Sequence, residues 1–450
     1  MQKFFNFFLS PKLMASIFIV FAVYMAWGTF IEKVYYPETA RALIYESSCL
    51  EFLMILLIFC FIGNIKKYCL WKKEKLPLLV FHSAFILIFI GGSISRYIGF
   101  EGVFTIQKGF ISRNIISNKT YIKLCIFQGK KIRIFQYPYI LAPLHKKYFV
   151  QFFFKGEIFR LRLINYIPNA KAVFFENPKG SKILKILEIK KGKEIERFIR
   201  AGQIKRLNNL TQISFEKSFK GALEIFEHSG KLFIFVKNNI RYTQKYITQK
   251  MLYELQMNAL YNFYKLNIVI SENVRKGILK YETIRKNENI PDLLKVEIST
   301  KGHSKIIEFL GGRGKTKMGG RTYFNGEKIS IGYGCIIFKL PFGIKLRTFE
   351  LEKYPGSKSP SSFSSKIRIF DKDRKEDHKI FMNNVLDYRK YRFFQSTYNL
   401  YKKRVVLSVN NDIWGRRISY FSYFLLVFGM FISLFYRVSR FRKFSNSLYK

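Results

Sequence analysis

A chain of 450 residues with 49% apolar residues, 49 phenylalanines and a net charge of +48 is too apolar and too aromatic for wholesale disorder. Its five cysteines (Cys49, Cys60, Cys69, Cys125, Cys335) form no C-x-x-C and no C-x-x-C-H. That excludes zinc knuckles, thioredoxin-type redox sites and c-type haem attachment to this chain itself.

The apolar residues gather into runs near the two ends, so an evenly built soluble monomer is excluded as well. The first run, residues 13–31, holds 19 residues without a charge, or about 28 Å of helix, enough for a hydrocarbon core. Ala26-Trp27-Gly28 resembles a signal cleavage site, but the basic leader is thin and two further runs follow, so a retained span is expected. The second, residues 47–65, reaches spanning length with Glu51 near an interface. The third, residues 76–94, contains one strongly polar residue, His82. Residues 418–436 close the set, with Trp414, Tyr420 and Tyr436 as interfacial anchors.

Short-loop charge sets the expected orientation. Lys66, Lys67, Lys72, Lys73 and Lys75 face a single Glu74 in the 65–76 connection, and the tail carries Arg437, Arg440, Arg442, Lys443 and Lys450. The 32–46 connection is acidic by comparison, with Glu32, Glu38 and Glu46. The positive-inside rule then places both termini and the 65–76 loop in the cytoplasm and residues 97–415 across the membrane. Arg416 and Arg417 fall on the wrong side of this scheme.

The expected architecture is therefore a membrane protein of mixed α+β class. It has an N-terminal membrane region, 1–96, an external β-rich domain, 97–415, and a C-terminal span with a basic tail, 416–450. Within the external domain, residues 148–154 and 158–164 flank a Lys-Gly-Glu turn as a hairpin, and 183–189 and 195–199 repeat the design. Residues 366–370 and 379–382 flank a polar loop. Helical spacing of Met251, Leu252, Leu255, Leu260 and Tyr261 predicts a helix over 247–264, dividing the domain into two sub-units. Asn208-Asn209 and residues 357–365 read as loops.

The charge does not point to nucleic acid. Lys, Ile, Phe, Tyr and Asn are abundant together, as an AT-rich coding bias produces, and no basic helix with interleaved stacking aromatics stands apart. A basic surface does attract anionic headgroups and carboxylate ligands. Gly312-Arg313-Gly314-Lys315-Thr316 is no phosphate loop, because Phe309 stands where the first glycine is needed. Asp371, Asp373, Glu376 and Asp377 lack the glycine and glutamate of a calcium loop and read as a solvated hairpin tip.

His82 differs from the scattered His145, His228, His303 and His378, which read as surface residues. An imidazole inside a span is costly unless it meets a partner or a cavity. Two readings stand side by side: an axial ligand of haem iron, or a histidine hydrogen-bonded between helices. A second axial ligand is absent from the spans, so a haem at His82 needs another chain to complete it.

The run Phe81-His82-Ser83-Ala84-Phe85 through Gly91-Gly92-Ser93-Ile94-Ser95-Arg96-Tyr97 and Gly99-Phe100-Glu101-Gly102 resembles the third span of ResB/CcsB-type (System II) cytochrome c biogenesis proteins. The form in Bacteroidetes-like bacteria is the nearest. Ala26-Trp27-Gly28-Thr29-Phe30-Ile31-Glu32 resembles the end of that family's first span. Glu352-Lys353-Tyr354-Pro355-Gly356-Ser357, with Ser359-Pro360-Ser361-Ser362, is similar to a family loop. So are Tyr391-Arg392-Phe393-Phe394-Gln395-Ser396-Thr397-Tyr398 and Leu407-Ser408-Val409-Asn410-Asn411-Asp412-Ile413-Trp414-Gly415.

The resemblance implies haem b as transported cargo, His82 as its iron ligand, apocytochrome c as acceptor, and a bacterial inner-membrane location. Many relatives continue into a CcsA half with a tryptophan-rich motif and further histidines. Here 14 residues follow Tyr436 and three tryptophans exist in all, so a separate CcsA-type partner is expected. Asn399 stands where the family pattern leads one to expect an acid. No catalytic nucleophile is evident, and an accessory subunit is the expected role. The competing readings are a membrane-anchored β scaffold for envelope lipid or protein interactions, and a b-type electron carrier.

Overall fold

The computed structural model describes residues 10–435 except 130, 146–148, 155, 191–192, 208–211, 219–222, 237–250, 264–265, 285–289, 301, 325–326, 358 and 400–403. Among the described residues, four helices are long and apolar enough to cross a membrane, three before the β region and one after it. Helix α1, Pro11–Val34, starts on Ser10, whose side chain accepts from the Lys12 amide, with Pro11 preset for the first turn. Helix α2, Ser48–Lys67, is capped by Ser47, which accepts from the Leu50 amide, and ends on Lys66 and Lys67. Helix α3, Leu76–Tyr97, has Pro77 in its first turn and Arg96 in its last. Helix α4 is Ile413–Phe435. The four expected spans all form. Tyr436 and the basic tail lie outside the described residues, as do Asn208 and Asn209.

Lipid is as apolar as leucine, so these helices associate through close packing and not through burial from water. Gly91 of α3 lets α4 approach so closely that a Cβ there would meet Ser419 Oγ at 2.6 Å and the Gly415 carbonyl at 3.2 Å. Gly429 does the same for Phe81 at the other end of the pair, so α3 and α4 run antiparallel in tight contact. A second seam is aromatic. Ile17 of α1, Leu57, Cys60 and Phe61 of α2 and Phe89 of α3 form its buried centre.

Among the described residues, twenty-four strands lie between α3 and α4 in chain order. The first five are β1 Phe100–Gln107, β2 Ile111–Gln128, β3 Lys131–Pro138, β4 Phe149–Phe154 and β5 Glu157–Ile167. Ten follow: β6 Ala170–Lys190, β7 Lys193–Arg200, β8 Ile204–Arg206, β9 Gln212–Phe215, β10 Leu223–His228, β11 Lys231–Val236, β12 Met251–Leu255, β13 Leu260–Phe263, β14 Leu266–Ile270 and β15 Arg275–Thr283. The rest are β16 Asp292–Thr300, β17 His303–Gly311, β18 Gly320–Phe324, β19 Glu327–Lys353, β20 Pro360–Asp371, β21 Arg374–Phe381, β22 Leu386–Tyr388, β23 Tyr391–Asn399 and β24 Arg404–Asn411.

The chain divides into two compact units, residues 1–168 with 291–450, and residues 169–290. In the first, a ten-stranded sheet runs β21-β20-β19-β2-β1-β24-β23-β22, with β18 beside β19 and β3 beside β2. A four-stranded sheet, β17-β16-β5-β4, covers one end of it. The long strands β2 and β19 serve two cores. Phe104, Ile115, Phe342, Ile367 and Phe393 fill one, and Ile122, Leu124, Phe159, Val296 and Ile331 fill the other. A register shift between Cys335 and Ile337 marks the passage between them. The second unit has two five-stranded sheets around Leu184, Ile213, Ile225, Ile234 and Ile268.

Three local expectations need correction. No helix occupies the described part of 247–264: Met251–Leu255 and Leu260–Phe263 are strands, paired with Lys231–Val236 and Leu266–Ile270. Asn258, at φ +59°, breaks the run, and cross-strand pairing overrides the helical spacing. The unit boundaries accordingly fall at 168/169 and 290/291 and not inside 247–264. The polar segment after Asp371 is a strand joined by a two-residue turn, because Arg368 pairs with Asp377 across the ladder. Strand β20 likewise begins at Pro360, so most of 357–365 is not loop. The hairpins at β4/β5 and β6/β7 form as expected.

Candidate functional site

His82 sits on the second turn of α3, six residues beyond Leu76, or about 9 Å along the helix axis. Its Nδ1 lies 2.8 Å from the Leu78 carbonyl oxygen on the preceding turn. A carbonyl only accepts, so Nδ1 carries the proton of this bond, and in the neutral ring the lone pair is then on Nε2. Among the described residues Nε2 has no hydrogen-bond partner. The ring is half-buried and stands perpendicular to Phe61 on α2 at 5.3 Å between centroids. Phe85 stacks on Phe61 at 5.1 Å, and Phe81 and Phe18 meet Phe85 edge-on. The interhelical hydrogen bond that the blander reading requires is not made by any described residue. The arrangement is an imidazole anchored through Nδ1 beside an aromatic wall, and in its neutral form Nε2 is the ring atom that could hold a metal.

The remaining histidines stand elsewhere. His228 and His303 are exposed in the β region. His145 stacks on Tyr139, and His378 faces Glu376 at 3.3 Å. Among the described residues no group of three His, Cys, Asp or Glu side chains is placed to hold a metal ion. Asp371 is consumed by Tyr388 and Arg389, so it is a buried anchor and not a solvated tip.

The opposite end of α3 is a polar junction. Arg96 pairs with Glu51 at 2.7 Å and donates to the Tyr45 carbonyl at 3.2 Å, while Tyr97 also donates to Glu51. Ser95 donates to the Asp412 carboxylate, which also accepts from the Gly415 amide and so caps α4. Strands β1 and β24 pair from Phe100/Asn411 onward, so the β region leaves and re-enters the helices at one face. A short helical turn, Pro37–Ala40, and a π turn, Arg41–Tyr45, complete this face between α1 and α2.

The glycine-rich segment after β17 is a strap. Gly312 at φ +116° and Gly314 at φ +73° shape it, and the ammonium of Lys123 donates to Thr316 and Cys335 carbonyls at 2.9 and 3.1 Å. Lys123 is 4% exposed, and burial pushes its pKa down. Arg313 reaches Glu38 at 2.9 Å, tying the strap to the segment between α1 and α2.

Residues 320–412 match the ResB-like family, from the first residue of β18 to the cap of α4. The chain carries a ResB-like region. It is also 24% identical over 428 residues to Protein NrfI of Wolinella succinogenes, which covers 95% of this chain and 34% of that protein. The chain thus spans about a third of the length of the curated relative it matches. The ResB-like region contributes Asp412 to the junction, whereas His82 lies far upstream of it in sequence.

Reading the sequence alone missed the junction. Glu51 and Arg96 gave a signal, since opposite charges at the ends of neighbouring antiparallel spans can meet. Ser95 and Asp412 gave none, being separated by the whole β region.

Proposed function

We propose that this chain is the ResB-type subunit of a System II cytochrome c biogenesis complex in a bacterial inner membrane. It receives haem b at His82 near the cytoplasmic face and works with a CcsA-type membrane protein to deliver the haem to apocytochrome c outside. The observation that carries the reading is the His82 ring, held by its own helix through Nδ1 with Nε2 unpartnered among the described residues. The ResB-like region and the likeness to Protein NrfI support the same family of roles.

The lysine-rich connection between α2 and α3 lies at the His82 end of α3, so positive-inside orientation puts His82 in the inner leaflet. Lys66 and Lys72 stand at that end, where the haem propionates would favour cations. The partner supplies the second axial ligand and the outer haem site. Thioether formation then needs mainly the alignment of haem vinyl groups with reduced thiols, a positioning task that requires no nucleophile from this chain.

The test is purification of the chain together with a CcsA-type protein, followed by haem quantification and an absorbance spectrum. The reading expects a Soret band that His82→Ala removes, with holocytochrome yield falling by at least about tenfold. An intact haem content in His82→Ala contradicts it. Reversible electron exchange with quinone would assign the haem to electron transfer instead.

A further inference from the structure

The polar junction at the outer end of α3 encloses a cleft of about 330 Å³, within the size range of small-ligand pockets, roughly 300–1,000 Å³. Its walls come from the α1–α2 connection (Arg41, Tyr45, Glu46), the last turns of α3 (Gly92, Ser95, Arg96) and the strands leaving and re-entering the helices (Glu101, Lys119, Asn410, Asp412). Tyr97 and Trp414 beside it are each 66% exposed. Such amphipathic rings at span ends sit at headgroup depth, so the cleft opens where phospholipid headgroups lie.

Three bases and three acids line it: Arg41, Arg96 and Lys119 against Glu46, Glu101 and Asp412. Several are already engaged. Arg96 holds Glu51 and Tyr45, Lys119 donates to the Arg96 carbonyl at 3.0 Å, and Asp412 holds Ser95 and the Gly415 amide. Arg41 uses Nε on Glu46 at 2.6 Å, and among the described residues its terminal nitrogens have no partner. The Glu101 side chain has no hydrogen-bond or ion-pair partner among the described residues either. Asn410 presents a buried Oδ1 that lacks a hydrogen bond. An amide in that state, in either orientation, wants a ligand atom or a water.

We propose that this cleft seats the headgroup of a zwitterionic phospholipid bearing a primary amine. The phosphate lies against Arg41 and Lys119, and the ammonium against Glu101 and the Asn410 amide. The balance of charge selects this class. A net anionic headgroup gains little from a cleft whose bases are matched by acids, and a quaternary amine has no N–H to give Glu101 or Asn410.

The full chain is reconstituted in nanodiscs of phosphatidylcholine containing equal small fractions of phosphatidylethanolamine and phosphatidylglycerol, extracted in mild detergent, and its retained lipids are counted by native mass spectrometry. Phosphatidylethanolamine is expected to be retained about tenfold over either competitor. Glu101→Gln and Arg41→Gln should each abolish that preference. Glu101 is exposed, so its variant keeps the fold even if Arg41→Gln does not. Equal retention of the three lipids, a preference for phosphatidylglycerol, or an undiminished preference in Glu101→Gln overturns the proposal. His82→Ala is expected to leave the preference intact, which separates this site from haem handling.

Discussion

Ser95 and Asp412 are 317 positions apart, yet the Ser95 hydroxyl donates to the Asp412 carboxylate and thereby joins the last turn of α3 to the cap of α4. Asp412 performs two tasks, since its other oxygen accepts from the Gly415 amide at 3.0 Å. Asp412→Ala removes both and should cost about 1–2 kcal/mol. Ser95→Ala leaves the cap in place and should cost less, about 0.5–1.5 kcal/mol. Thermal unfolding of the two variants in the same detergent gives the comparison, and a larger loss in Ser95→Ala would contradict the assignment.

Packing of α3 on α4 gives a paired test on adjacent glycines. A Cβ at Gly91 would stand 2.6 Å from Ser419 Oγ and 3.1 Å from the Ser419 amide nitrogen, whereas a Cβ at Gly92 meets nothing within 4 Å. Gly91→Ala is expected to destabilise by about 1–3 kcal/mol through overpacking. Gly92→Ala should stay within about 0.5 kcal/mol of the parent. Equal effects, read as shifts in unfolding midpoint, would mean that α3 and α4 are not in contact along this seam.

The two cysteines of the β region cannot pair. In the β2/β19 ladder Cys125 faces Ser330 and Cys335 faces Thr120, which separates the two thiols by five positions. That is about 17 Å along the strands, against a Cα separation of at most about 7 Å for a disulfide. Peptide mapping by mass spectrometry after mild oxidation should find no link between them. A 125–335 linked peptide would show the register to be wrong.

Acid sensitivity should appear at Glu350. The Lys366 ammonium, with help from Ser364, holds its carboxyl down to about 2. A depressed acid stabilises the fold above its unfolded pKa, about 4.3. That contribution drains away as pH falls from there through about 2. The midpoint difference between the parent and Glu350→Gln should therefore be constant above about pH 5 and shrink on acidification through that window. A difference that grows on acidification would have the wrong sign.

Much of this architecture is legible in the residues themselves. Runs of about 20 apolar residues have few alternatives to a membrane span, and hairpins such as β4/β5 declare themselves by alternation around a glycine turn. His82 is legible because lipid makes a polar ring conspicuous. What stays hidden is whatever depends on distant pairing. The meeting of β1 with β24 and the insertion of residues 169–290 as a separate unit leave no local periodicity. The strands at Met251–Leu255 and Leu260–Phe263 show the converse, a helical spacing that neighbouring strands overrule.

Chemical rescue gives the sharpest test of the proposed iron ligation by Nε2 of His82. His82→Gly, purified with a CcsA-type partner, leaves a space where free imidazole can bind. With Nε2 as the ligand, the Soret band is lost in this variant and returns when imidazole is added, in proportion to its occupancy. A spectrum identical to the parent before any imidazole is added would contradict it.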